Sequence, residues 1–78
     1  MTVSQHSDRY KQFCTLLIEH RKEAGLKQSE VAENLNKPQS YVSKYESAER
    51  RLDVVELIDV AKAIGFDPKA IIDQLADT

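Results

Sequence analysis

Between Gln39 and Lys44 the chain places four polar side chains of complementary kinds: Gln39, Ser40, Ser43 and Lys44. A carboxamide offers a donor beside an acceptor, a hydroxyl offers either, and an ammonium offers donors only. This is the chemistry that reads base edges in a duplex major groove. Gln pairs bidentately with adenine N6 and N7, Lys donates to guanine O6 or N7, and Ser serves either base. Nearby, Lys27, Lys37, Arg50 and Arg51 supply cations and Tyr41 a hydroxyl, groups suited to phosphate oxygens. The competing reading is an ordinary solvated helix face with scattered surface charges. Deciding between the two requires knowing which elements hold these residues.

Glycine and proline divide the chain. Gly25 and Gly65 each follow a helical pattern and fit the position just past a helix C-terminus, where positive φ is needed. Pro38 and Pro68 stand where helices begin, and Asp53 and Asp67 are suited to N-caps. Five helices are predicted, at about Asp8–Ala24, Gln28–Leu35, Gln39–Glu46, Val54–Ile64 and Pro68–Leu75. Their expected inward faces are Phe13, Leu16, Leu17, His20 and Ala24; Val31, Ala32 and Leu35; Val42 and Tyr45; Val54, Leu57, Ile58, Ala61 and Ile64; and Ile71, Ile72 and Leu75. No period-two alternation signals a strand. The expectation is an all-α, compact five-helix bundle over residues 8–78, with residues 1–7 a flexible tail. Asn36, Lys37 and Pro38 make a tight turn between the second and third helices, as a helix-turn-helix requires.

Helical geometry then sorts the third helix. With Gln39 at 0° and a step of about 100°, Val42 and Tyr45 fall near roughly 300° and 240° and define the buried side. Ser43, Ser40 and Lys44 fall near roughly 40°, 100° and 140°, with Gln39 at the edge. Tyr41 lies on the shoulder. The outward face so defined carries no acidic side chain, which suits a polyanionic partner.

Bulk properties agree with a small soluble domain. The chain has 78 residues, 41% of them hydrophobic and 31% charged, a globular balance. No run approaches the length of a membrane span, and the polar N-terminus shows no signal peptide. The lone Cys14 lies among apolar residues and reads as a core residue in a reducing, cytoplasmic setting. His6 and His20 form no ligand spacing with it, so no metal or cofactor is expected. The net charge of −2 is unevenly spread. Residues 1–51 hold nine Lys/Arg against seven Asp/Glu, and residues 52–78 hold two against six. One basic face can therefore exist on an acidic protein.

The stretch "KQSEVAENLNKPQSYVSKYESAERRL" resembles the helix-turn-helix of the phage-repressor (Cro/repressor, or XRE) family of DNA-binding regulators, the lambda-repressor-like fold. The family pattern is met at Leu26, Gln28, Val31, Ala32, Leu35, Val42, Ser43 and Glu46, and the flanks "EHRKEAGLKQ" and "LDVVELIDVAKAIGFDP" extend the resemblance over about residues 10–75. It implies that Ala32 lets the two helices approach, that Gln28 holds a phosphate and steadies Gln39, and that Arg21 pairs with Glu46. Departures are Lys27 at a Ser/Thr-type cap, Asn36 for the turn Gly, Lys37 for an apolar turn residue, and Ser47-Ala48 for a common Asn-Gly. The last puts a backbone-to-phosphate contact in doubt.

The reading that follows is a sequence-specific regulator of transcription that binds double-stranded DNA, with Gln28, Gln39, Ser40, Tyr41, Ser43, Lys44, Lys27, Lys37, Arg50 and Arg51 at the interface. A homodimer on a palindrome, with half-sites about 34 Å apart, would enlarge a modest single-copy interface. Phe66, Ile72 and Leu75 are candidates for pairing, or else plain core. The alternative is an antitoxin-type interaction module that binds a toxin and regulates itself through DNA; a third is a helix-turn-helix that has lost DNA binding. No paired carboxylates, nucleophile–base set or phosphate loop points to an enzyme.

Overall fold

The computed structural model describes residues 7–77, which form α1 (Asp8–Glu23), α2 (Gln28–Leu35), α3 (Gln39–Glu46), α4 (Val54–Ile64) and α5 (Pro68–Ala76). Met1–His6 of the expected tail and Thr78 lie outside the described residues. Ser7 is the N-cap of α1, its hydroxyl accepting from the Tyr10 N–H at 3.1 Å. Among the described residues there is no strand and no helix long and apolar enough to cross a membrane.

The helix ends follow their local chemistry. Asp53 caps α4 by accepting from the Glu56 N–H at 2.7 Å, while Glu56 accepts from the Asp53 N–H at 3.0 Å, a reciprocal capping box. Asp67 caps α5, with Pro68 in its first turn. Gly65 closes α4 at φ 102°, and Asn36 closes α2 in the left-handed conformation at φ 58°, ψ 44°. Lys27 begins α2 without a side-chain cap, since an ammonium has no acceptor. Glu30 supplies half of the motif by accepting from the Lys27 N–H at 2.8 Å.

The core is built where α1 meets α3 and α5, and where α2 meets α3 and α4. Leu17, Val31, Val42, Tyr45, Val60 and Ile71 are fully buried at its centre. Cys14 is buried there too, donating its thiol to the Tyr45 carbonyl at 3.3 Å, and burial pushes the thiol pKa up. It is a packing residue.

Several expected inward positions face solvent instead. On α4 the buried stripe is Leu57, Val60, Ala61 and Ile64. Ile58 lies roughly 110° round from its centre, and Val54, in the first turn, is 60% exposed. Val60 takes the place assigned to them. Ala24 is exposed because it is already the C-cap of α1. Ile72 is also exposed, whereas Phe66 and Leu75 pack against the core. His20 is half-buried, its ring stacked on Phe66 at 4.1 Å between centroids.

Candidate nucleic-acid interface

The interface is assembled by two short helices and the turn between them. Asn36 reverses the chain because its left-handed backbone lets the Lys37 N–H reach the Ala32 carbonyl at 2.9 Å. Ala32 on α2 is buried, and α2 packs against α3. Val42 and Tyr45, both fully buried, fix the roll of α3 about its axis. That roll turns Gln39, Ser40, Ser43 and Lys44 into solvent together, with no acidic side chain on α3 among them. The face computed from helical periodicity is the face observed.

Glu46 departs from this pattern, being 8% exposed. Its carboxylate accepts from Arg21 Nε at 2.7 Å and Arg21 Nη2 at 3.2 Å, and Arg21 Nη1 donates to the Leu26 carbonyl at 3.0 Å. The forked guanidinium thus ties the end of α1 to the end of α3 and to the loop before α2. Gln28 joins the same centre, donating from Nε2 to Glu46 Oε1 at 2.8 Å. Its Oε1 accepts in turn from Gln39 Nε2 at 3.4 Å. The contact between Gln28 and Gln39 that the resemblance implies is present, and it is anchored in a buried ion pair.

The flanking cations are not equivalent. Lys27, Lys37 and Arg51 are exposed. Lys37 Nζ stands 5.3 Å from the Tyr41 ring centre, and the Arg51 guanidinium 4.2 Å from that of Tyr10, both cation–π distances. Arg50 is more tightly held. Its Nη2 donates to Glu56 Oε2 at 2.8 Å, its Nη1 to the Arg51 carbonyl at 3.1 Å, and its plane lies 4.7 Å from the Tyr41 ring centre. The hydrogen bond from Arg50 holds the Glu56 carboxyl below its ordinary value, helped by the Asp53 N–H. Arg50 is therefore already paired with a carboxylate. Tyr41, half-buried and edge-on to Tyr45, has its pKa raised by burial and by the nearby Glu56 charge, so its hydroxyl stays a neutral donor.

Two side-chain contacts escape a residue-by-residue reading of the sequence. Glu56 was recoverable from the Asp53-x-x-Glu56 capping-box spacing, though its bond to Arg50 was not. Asn34 donates from Nδ2 to the Ala63 carbonyl at 2.9 Å, tying α2 to the last turn of α4. Nothing in its local pattern signals this. After α3, Ala48 stands at φ 68°, in the left-handed region that favours glycine, and its methyl is buried.

Comparison with known proteins agrees with this geometry. A family model described as helix-turn-helix matches residues 17–71. A solved structure described as an XRE-family like protein from Pseudomonas syringae pv. tomato str. DC3000 superimposes with a TM-score of 0.87 at 49% sequence identity, covering 92% of this chain and 88% of that one. A comparison with curated proteins finds no match. With the motif, its buried ion pair and its outward α3 face in place, the chain belongs to the XRE family of helix-turn-helix, DNA-binding transcription regulators.

Proposed function

We propose that this protein is a sequence-specific regulator that sets α3 in the major groove of double-stranded DNA. The observation that carries the reading is the α3 face itself: Gln39, Ser40, Ser43 and Lys44 point outward together and free of acids, on a helix whose roll is locked by Val42 and Tyr45. Gln39 and Lys44 are the base readers, with Ser40 and Ser43 between them. Gln28 has one amide hydrogen left for a phosphate after donating to Glu46. Lys27, Lys37, Tyr41 and Arg51 contact the backbone, and Arg50 does so in exchange for Glu56. The working form is a homodimer on a palindromic operator in the cytoplasm. Of Phe66, Ile72 and Leu75, Ile72 is the one left exposed, and Val54, Val55 and Ile58 on α4 are exposed apolar residues as well. A protein partner such as a toxin would also cover exposed apolar residues of this kind.

The test is binding to random and to selected duplex DNA at two salt concentrations. A specific, salt-dependent complex is expected, and absence of binding even at low salt overturns the reading. Lys44→Ala should relax the base preference. Arg51→Ala should weaken binding evenly and reduce the salt slope by about one. Identical behaviour of the two variants contradicts the division between readers and phosphate contacts.

A further inference from the structure

Two exposed or half-buried amides are linked to a buried charge, and the link has a direction. The Glu46 carboxylate can only accept hydrogen bonds. A glutamine lying 2.8 Å from it, as Gln28 does, must turn its NH2 group toward it. The Gln28 amide oxygen is then left at the other side, where it meets Gln39, and Gln39 must answer with its own NH2. Gln39 retains two groups for the groove, its Oε1 acceptor and one N–H. Each amide is oriented by what its predecessor lacks, beginning from the ion pair with Arg21. These orientations follow from the donor and acceptor inventory of the three side chains.

We propose that Glu46, acting through Gln28, is the positioning residue that decides which way round Gln39 presents its amide, and so selects adenine at the base pair Gln39 meets. This rests on the DNA-reading function proposed above. An acceptor beside a donor matches adenine N6–H and N7. The reversed amide, with its oxygen turned to Gln28, presents N–H groups alone, which suit the paired acceptors O6 and N7 of guanine. The specificity of an exposed residue at the start of α3 is thereby set by a charge buried at its end.

One substitution can reverse the chain of hydrogen bonds. In Glu46→Gln the new amide oxygen keeps the bond from Arg21 Nε, and its NH2, in the place of Oε1, turns to Gln28 at the loss of the bond from Arg21 Nη2. Gln28 then answers with its oxygen, and Gln39 receives an N–H. An operator is first selected with the wild-type protein, and binding is measured to duplexes carrying each of the four base pairs at every position. Glu46→Gln, checked for folding by circular dichroism, is expected to move the preference at one position from adenine to guanine by about tenfold, leaving the other positions unchanged. Gln28→Leu keeps the Arg21–Glu46 pair and removes the intermediary. It should lower affinity across all duplexes and relax the adenine preference at that same position. A folded Glu46→Gln protein that weakens every duplex by the same factor overturns the proposal. So does a Gln28→Leu protein with the full adenine preference, which decides the matter if Glu46→Gln does not fold. A wild-type operator at which Gln39→Ala alters no position also overturns it while leaving DNA reading intact. Failure of the wild type to enrich any sequence overturns the DNA-reading function and this inference with it.

Discussion

Replacing Glu46 with alanine probes the join between α1 and the end of α3. The carboxylate accepts three hydrogen bonds, two from Arg21 and one from Gln28, and the paired side chains are only 12% (Arg21) and 5% (Glu46) exposed. Alanine leaves the guanidinium in place with the Leu26 carbonyl and no counter-charge at Glu46's position. Removing one partner of a buried pair costs about 3–5 kcal/mol, because the remaining ion keeps its desolvation penalty. A domain of 78 residues has roughly 4–12 kcal/mol in total, so the variant loses a large share of its stability. At roughly 4–8 °C per kcal/mol for a domain this size, Tm should fall by at least about 12 °C. Glu49→Ala is the control. Glu49 is exposed, and its carboxylate accepts from Ser47 Oγ at 3.0 Å; the expected change is within about 0.5 kcal/mol. Thermal and urea unfolding followed by circular dichroism would separate the two. Equal melting temperatures, or a loss below about 1 kcal/mol for Glu46→Ala, would refute the argument. The double variant Arg21→Met/Glu46→Leu should recover much of the loss, since no unpaired ion remains.

Three further outcomes are expected. The buried Tyr45 hydroxyl has no hydrogen-bond partner among the described residues, so Tyr45→Phe should stabilise the fold by about 1 kcal/mol, read as a rise in the urea midpoint; a loss of stability would mean that the hydroxyl is satisfied. Glu56 has its carboxyl held below the ordinary 4.5 by Arg50. Its contribution is therefore complete above that value and is lost as pH falls through the depressed one, so Glu56→Gln should be less stable at neutral pH and show a shallower acid limb as pH falls below 4.5, a prediction that fails if the two pH profiles run parallel. Asn36 sits at φ 58°, where a β-carbon is costly except in Asn or Asp; Asn36→Ala should lose about 1 kcal/mol and Asn36→Gly should not, and equal midpoints would count against the turn geometry described.

The ends of the helices were legible because they depend on residues with narrow conformational or bonding habits. Asn36, Gly65, Asp53 and Asp67 each act within a few residues of themselves, so the sequence displays their effect directly. The outward face of α3 was legible for a similar reason: two buried anchors at three-residue spacing determine the rotation of an eight-residue helix. What escaped was decided by neighbours distant in the chain. Ile58 and Val60 are equally apolar, and only the placement of α2 and α5 against α4 chooses Val60 for the core. Arg50 and Arg51 are adjacent and alike in sequence, yet Glu56 engages the first while the second lies over Tyr10. Capping-box spacing identifies Glu56 as a partner for Asp53 but says nothing of its second oxygen.

The residues turned outward on α3 take unequal shares in holding the protein together, and this bears on how new specificities can arise. Ser40, Ser43 and Lys44 are exposed, on the side of the helix opposite the buried Val42 and Tyr45. Mutation there leaves the fold's stability nearly untouched, so a duplicated copy of this gene could drift at those three positions by single, independently tolerated steps. Gln39 is bound through Gln28 to the Arg21–Glu46 pair. Change at that position is coupled to residues on three helices and would proceed by correlated substitutions. The protein's mutable alphabet is thus three letters wide, with a fourth letter that is rewritten only together with its scaffold.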